Sequence, residues 1–323
     1  MRKIIKHVLI IFFVFFVIAV TAALFYFKWS ISEPLQEAGD QVVFEIEKGQ
    51  SKIQISRKLK NKGIIRSDIV FAVAAEIKNK NLLPGLYELS PAMSIIEILD
   101  SISSGKTKMT KVLIPEGYRI EQIAQTLSNK GLAEYDRFVE LSKEDEGYLF
   151  PDTYYFSNEI SEEKIIVAMK KNYDDRTELL NVTKEDMIIA SIVEREAVND
   201  EERPLIAGVY KNRVLRNMKL EADPTVQYAK DSIAVLNSDD REFKYWQPIT
   251  SKDYLTVLSN YNTYVTKNLP PTPICNPGLK SIKAAIDYQK HNYIYFLHKD
   301  GKIYPSENAA QHEYYKETIL RAS

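Results

Sequence analysis

The stretch from Val8 to Phe27 limits this chain more than any other. It is apolar throughout, with only Thr21 and Tyr26 mildly polar. A helix needs about 20 apolar residues to cross the hydrocarbon core of a bilayer. Inside lipid, each backbone N–H and C=O must find its partner within the segment, so a run of this length reads as a spanning helix. It exceeds the apolar core of a cleaved signal peptide. Aromatic residues also follow Ala22-Ala23, where a cleavage site requires small ones. The expectation is an uncleaved signal anchor over 7–27. Arg2, Lys3 and Lys6 precede it. The positive-inside rule then keeps the tail 1–6 in the cytoplasm and places the bulk of the chain outside. Trp29 stands where interfacial aromatics are favoured, and 28–40 reads as a linker.

The 323 residues leave room for two domains after the anchor. Lysine and arginine number 43 against 44 acidic residues, a net charge of -1. A nucleic-acid partner would favour a clearly basic domain, so none is expected. Cys275 is the single cysteine, which excludes an intrachain disulfide and reads as a small buried filler. His7, His291, His298 and His312 show no metal-ligand spacing. Neither a metal nor a cofactor is expected.

A repeat follows the linker. Phe44-Glu45-Ile46-Glu47-Lys48-Gly49 alternates and stops at glycine, as a strand and turn would. Ile53, Ile55 and Leu59 then lead to Asn61-Lys62-Gly63, a helix ending at its C-terminal glycine. Val112 to Gly117, then Ile120, Ile123 and Leu127, then Asn129-Lys130-Gly131 repeat this grammar at one constant offset. The duplicated strand–helix unit looks like LysM-type modules, which commonly bind N-acetylglucosamine polymers. A small α+β spacer is the alternative, because fold alone does not establish binding. The first module is expected over 41–108, with Leu83–Leu89 as a closing strand and Met93–Ser104 helical.

The chemistry concentrates on one helix. Thr183, followed three residues on by Asp186, reads as a capping box. Ile188, Ile189, Ile192 and Val193 recur at helical spacing. At about 100° per residue the centre of this apolar stripe passes through Ile189, Ile192 and Glu196. Glu194 points nearly the opposite way, toward solvent or a partner. Burial raises the pKa of a carboxylate, which makes Glu196 a candidate general acid. The alternative is an ion pair with Arg203 or Arg213.

Further motifs follow. Asn199-Asp200-Glu201-Glu202 caps a second helix, whose apolar face carries Leu205, Ile206, Val209 and Tyr210 and whose end holds Asn212-Arg213. Asp223-Pro224-Thr225 opens a third, with Asp as N-cap and Pro in the first turn. Lys230–Trp246 reads as a polar surface loop or hairpin with no assigned role. Downstream lie Tyr261-Asn262-Thr263-Tyr264, a run from Leu269-Pro270-Pro271 to Asn276-Pro277-Gly278, a helix over Ser281–Tyr288, and a hairpin turning at Asp300-Gly301.

These motifs, with Ala190–Glu196 at their centre and Gly147–Tyr155 leading in, resemble the YceG-like family of endolytic murein transglycosylases. The resemblance covers nearly the whole chain, and its motifs occur in order at family-like spacing. It places the catalytic glutamate at Glu196. Lys302-Ile303-Tyr304-Pro305 and Thr272 depart from the family pattern and bear on the cleft wall. The implied fold class is α+β: a transmembrane helix, a LysM-like α+β module, and a mixed α+β lysozyme-like catalytic domain over 109–323 that includes the second LysM-like unit at 109–142.

The implied reaction cleaves the β-1,4 bond between N-acetylmuramic acid and N-acetylglucosamine within peptidoglycan strands, giving 1,6-anhydro ends and terminating nascent strands. Glu196 would serve as acid and then base, without a water-activating second carboxylate. Glu221 and Asp223 remain candidates for one, Asp223 being better explained as a helix cap. By analogy with lysozyme-like transglycosylases, Asn262 and Tyr264 contact substrate, with Gln227 as a further candidate; turn capping and core packing are their alternative roles. The implied partners are glycan strands, the membrane and the cell-wall synthesis machinery. Two rival readings are a water-using muramidase and a non-enzymatic scaffold that binds peptidoglycan through the repeat.

Overall fold

The computed structural model of the chain describes residues 2–105, 109–236 and 243–320. Lys108, the expected edge of the first module, and the polar stretch 237–242 lie outside the described residues. The chain divides into two compact units, Met1–Lys111 and Val112–Ser323.

The first unit begins with α1 (Arg2–Ser32). Among the described residues, its segment Leu9–Ser32 is the one helix long and apolar enough to cross a membrane. The helix runs past Phe27 into the stretch expected as linker, because its first breaker is Pro34. Phe27 and Ile31, in its last turns, pack on the core of the unit. A β-α-α-β arrangement follows: β1 (Val42–Ile46), α2 (Lys52–Asn61), α3 (Asp68–Ile77) and β2 (Gly85–Leu89), then α4 (Ile95–Ser103). The strands pair antiparallel, from Val42 opposite Leu89 to Ile46 opposite Gly85. Phe44, Ile55, Leu59, Phe71, Leu89 and Ile98 fill the space between sheet and helices. Ser51 caps α2, with Gln54 completing a capping box, and Ser94 with Glu97 does the same for α4.

The same arrangement returns in β3 (Met109–Leu113), α5 (Ile120–Asn129), α6 (Tyr135–Ser142) and β4 (Thr153–Ser157), with β3 beside β4. Helix α5 and strand β4 stand 68 positions after α2 and β2 at both ends. The duplication therefore covers a whole β-α-α-β unit, more than the strand and helix legible in the sequence. Gly63 and Gly131 close α2 and α5 at φ +68° and +69°, a left-handed conformation that glycine alone adopts without steric cost.

The remainder of the second unit is mainly helical: α7 (Glu162–Thr177), α8 (Lys184–Glu196), α9 (Arg203–Leu215), α10 (Asp223–Leu236), α11 (Asp253–Thr256) and α12 (Leu279–Ile286). The hairpin β5 (Tyr295–Lys299) and β6 (Lys302–Ser306) leads to α13 (Ala309–Tyr315) and a π-helical turn at Lys316–Leu320. Helix α10 extends to Leu236, so the first part of the expected 230–246 loop is helical; it contains neither glycine nor proline. Helices α8, α9 and α12 pack on one another. Ile189, Ile192, Ile206, Ala207, Ile282 and Ala285 form the core between them.

Candidate active site

The site is built outward from the end of α8. The Thr183 hydroxyl accepts from the Asp186 N–H at 3.1 Å, and the Asp186 carboxylate accepts from the Thr183 N–H at 3.0 Å. Every residue from Asp186 to Val193 is buried. A helix anchored so completely delivers its last residue, Glu196, to a cavity wall in a fixed position. Protein atoms surround the Glu196 carboxylate while the residue still borders the cavity. Its Oε1 accepts from the Tyr210 hydroxyl on α9 at 2.9 Å. Burial pushes the Glu196 carboxyl up to about 7; the Tyr210 bond pulls it back, and the negative charge of Asp223 adds to the rise.

The two arginines considered as ion-pair partners for Glu196 bind elsewhere. Arg203 Nη1 lies 3.1 Å from Glu194, and Arg213 Nη1 lies 2.8 Å from Glu221. Glu194, expected to face solvent or a partner, therefore has partners within the protein and is not solvated. Its side chain is 6% exposed, and its second oxygen accepts from the Gly278 N–H at 2.9 Å. Arg203 at the start of α9 and the Gly278 N–H at the start of α12 both reach this carboxylate, so the end of α8 is covered by protein on this side as well.

The cavity has a volume of about 570 Å³. Glu196, Tyr210, Asp223, Tyr254 and Tyr264 line it together with Arg213, Glu221, the start of the β5–β6 hairpin and residues of α13. The Tyr264 hydroxyl donates to Asp223 at 2.7 Å, and the Tyr254 hydroxyl to its other oxygen at 3.4 Å. The two rings stack at 4.1 Å. Asp223, expected as an N-cap, thus spends its carboxylate on two phenols. Burial raises the pKa of Tyr210, Tyr254 and Tyr264, so all three remain hydrogen-bond donors at neutral pH. Glu221, two residues before Asp223, is left-handed at φ +51°. Strained backbone of this kind persists where neighbours over-determine it. Here the Glu221 and Ala222 N–H groups bond to Thr263 at 3.2 and 3.0 Å.

Tyr264 lines the cavity with Glu196, whereas Asn262 and Gln227 do not. Asn262 is fully buried. Its amide donates to the carbonyls of Tyr254 and Val257, and its Oδ1 accepts from the Tyr264 N–H at 2.9 Å. It ties the loop that carries Tyr264 to α11, which carries Tyr254. Gln227 donates to the Gln247 carbonyl at 3.3 Å. Sequence reasoning missed Tyr210, which counted only as part of an apolar helix face, and Tyr254, which no motif marks. It also missed what the Asn-Pro-Gly run does. The Asn276 amide accepts from the N–H groups of Gly147 and Leu149 and donates to Tyr118 and Glu146, joining the repeat unit to the core around α8. Among the described residues no group of three or more His, Cys, Asp or Glu side chains is placed to hold a metal ion.

The YceG-like family model matches residues 44–318. An endolytic murein transglycosylase of Bacillus subtilis strain 168 is 29% identical over 336 residues, covering 92% of this chain and 90% of that protein. One from Streptococcus pneumoniae strain R6 is 28% identical over 326 residues, covering 84% of this chain. The chain spans 57% of the length of that pneumococcal relative. The crystal structure of a yceG-like protein from Listeria monocytogenes superimposes with a TM-score of 0.53 at 31% identity, covering 85% of this chain and 98% of that one. With the family model matched across both units, the chain belongs to the YceG-like family.

Proposed function

We propose that this chain is a membrane-anchored lytic transglycosylase that cuts peptidoglycan strands internally, with Glu196 as acid and then base. The observation that carries the reading is a single one: a carboxyl pushed to about 7 on the wall of a cavity large enough for sugar residues. At neutral pH such a group is both a competent donor and a competent acceptor. The names borne by the relatives support the same reaction class.

In this mechanism protonated Glu196 gives its proton to the oxygen between N-acetylmuramic acid and N-acetylglucosamine. The C1–O bond breaks, and positive charge develops on the muramic ring. The Glu196 carboxylate, stabilised in the interval by the Tyr210 hydroxyl, then takes the proton of the C6 hydroxyl. That oxygen attacks C1, closing the 1,6-anhydro ring. Glu196 ends protonated and no water is consumed. Tyr264 contacts the sugar at the scissile bond, while Asn262 and Gln227 act through the loops they hold. The 7–27 segment anchors the chain with its N-terminus in the cytoplasm. The LysM-like repeat grips glycan, and cleavage beside the synthesis machinery ends strand growth.

Asp223 favours a second reading, hydrolysis. A second carboxylate in the same cavity is the usual means of activating water. Against it, both Asp223 oxygens already accept from tyrosines.

The test uses the full chain in detergent micelles on polymeric peptidoglycan, counting anhydro-muramic ends released per folded molecule. Glu196→Gln should lower release by about two orders of magnitude or more, the scale of general acid catalysis. Near-normal release by that variant would remove Glu196 from the reaction.

A further inference from the structure

Helix α3 carries apolar residues on two flanks, one buried and one exposed. Val70, Phe71, Ala74 and Ala75 point into the core of the first unit. The opposite side carries Ile69, Val73 and Ile77, at steps of four that keep them on one flank. Ile69 and Ile77 are 72% and 70% exposed, and Val73 is exposed as well. The charges of the helix are already engaged: Asp68 with Lys60 at 2.9 Å and Glu76 with Lys52 at 2.7 Å. Beside Lys52, Ile53 of α2 is a further exposed isoleucine. A group of large exposed apolar side chains of this kind marks a surface that something covers. At 10 residues, α3 is far short of the roughly 20 needed to cross a bilayer.

The position of α3 within its unit points to what covers it. The last turns of α1 pack against α3 and α4. The Arg66 guanidinium sits 4.5 Å from the Trp29 ring of α1 and donates to the Pro34 carbonyl at 3.3 Å. Arg66 immediately precedes Ser67, the N-cap of α3. The start of α3 is thus pinned to the C-terminal end of α1. The apolar segment Leu9–Ser32 has 24 residues, and the hydrocarbon core takes up about 20 of them. Trp29 then falls in the interfacial layer, where its amphipathic ring is favoured, and α3 begins at that depth.

We propose that the outward face of α3, Ile69, Val73 and Ile77 with Ile53 of α2 beside it, lies in the interfacial layer of the bilayer that α1 crosses. The inference rests on the reading of α1 as a membrane span. Its consequence is that the first unit rests on the membrane in one orientation instead of swinging from a tether. An amphipathic surface of this kind is held by apolar burial at the headgroup boundary.

The experiment uses the full chain, one copy per lipid nanodisc, with an environment-sensitive fluorophore placed singly through Ile69→Cys, Ile77→Cys or Ile18→Cys. The native Cys275 is fully buried. Quenchers are nitroxide lipids labelled at the headgroup or in the acyl chain, and aqueous iodide. The expected result is loss of fluorescence at positions 69 and 77 with headgroup nitroxide, together with shielding from iodide. The label at position 18 should respond to acyl-chain nitroxide. If 69 and 77 are quenched by iodide and not by lipid while 18 responds as expected, the docking inference is overturned and the span stands. If 18 also ignores the lipid nitroxides, the span itself fails. Shielding of 69 and 77 from every quencher would mean that protein covers the face, and that too overturns the inference.

Discussion

Replacing Tyr210 by Phe should move the proposed cleavage to higher pH. The Tyr210 hydroxyl donates to Glu196 at 2.9 Å, and it does so more strongly when the carboxylate is ionised. A hydrogen bond to a charged group is worth about 1.5–3 kcal/mol. One pH unit corresponds to about 1.4 kcal/mol, so losing the bond favours the protonated form by about one to two pH units. Water entering the cavity can replace part of the lost donor, which selects the lower end. The Glu196 carboxyl starts from about 7, and the negative charge of Asp223 stays in place to oppose ionisation. The alkaline limb of kcat/KM, which follows the protonated acid, should therefore move from about pH 7 to about pH 8. The maximum rate should fall, because the anion formed after proton donation loses its partner. The ring remains, so the edge contact with Phe296 at 6.0 Å is kept. The assay is release of anhydro-muramic ends from one peptidoglycan preparation, from pH 5 to pH 9, with equal melts confirmed first. A limb that stays in place or moves to lower pH would refute the assignment of Tyr210 as donor to the catalytic carboxylate.

Three other outcomes follow from the same geometry. The folded pKa of Glu196 lies above its ordinary value of 4.5. Its contribution to stability is therefore full below that value and lost as pH rises through about 7. Ionising it in place costs up to about 3 kcal/mol by linkage, and less where cavity water reaches it. Glu196→Gln should accordingly melt above the parent chain at pH 9 and level with it at pH 4; parallel melts at both pH values would contradict this. Glu194→Gln should cost about 1.5–3 kcal/mol of stability, the scale of hydrogen bonds to charged groups, since Arg203 and the Gly278 N–H both bind this carboxylate. Denaturant titration checks it, and an unchanged midpoint with abolished cleavage would make Glu194 catalytic. Gly208→Ala would press a methyl group against the Gln289 carbonyl oxygen, an overpacking worth about 1–3 kcal/mol, visible as a lower melting temperature.

The sequence made Glu196 legible because a carboxylate on an apolar stripe contradicts the pattern around it. The same wheel left Glu194 facing solvent or a partner; it could not name the partners, Arg203 at the start of α9 and the Gly278 N–H 84 residues downstream, because no local spacing encodes them. The apolar N-terminal helix and the repeat could be read because they are local patterns, an apolar run and a glycine-punctuated strand and helix. The far halves of the repeat units share only a sparse signal, Leu82, Pro84 and Tyr87 against Leu149, Pro151 and Tyr154, displaced by one position from the offset of the near halves; each tyrosine hydroxyl donates to the carbonyl four residues before it. Asn262 stands in a motif tied to sugar contact, yet its amide is spent on the carbonyls of Tyr254 and Val257. Tyr210, Tyr254 and Asp223 come together only through the packing of α9, α11 and α10, contacts that no spacing along the chain encodes.

The central claim is that Glu196 breaks the glycosidic bond and closes the anhydro ring with no water taking part. Digesting peptidoglycan with the full chain in water enriched in heavy oxygen tests this directly. Mass spectrometry of the new muramic ends should show 1,6-anhydro products, lighter by one water than hydrolytic ends and free of heavy oxygen. Reducing ends that carry heavy oxygen would show that water attacks C1, and would contradict the transglycosylase account.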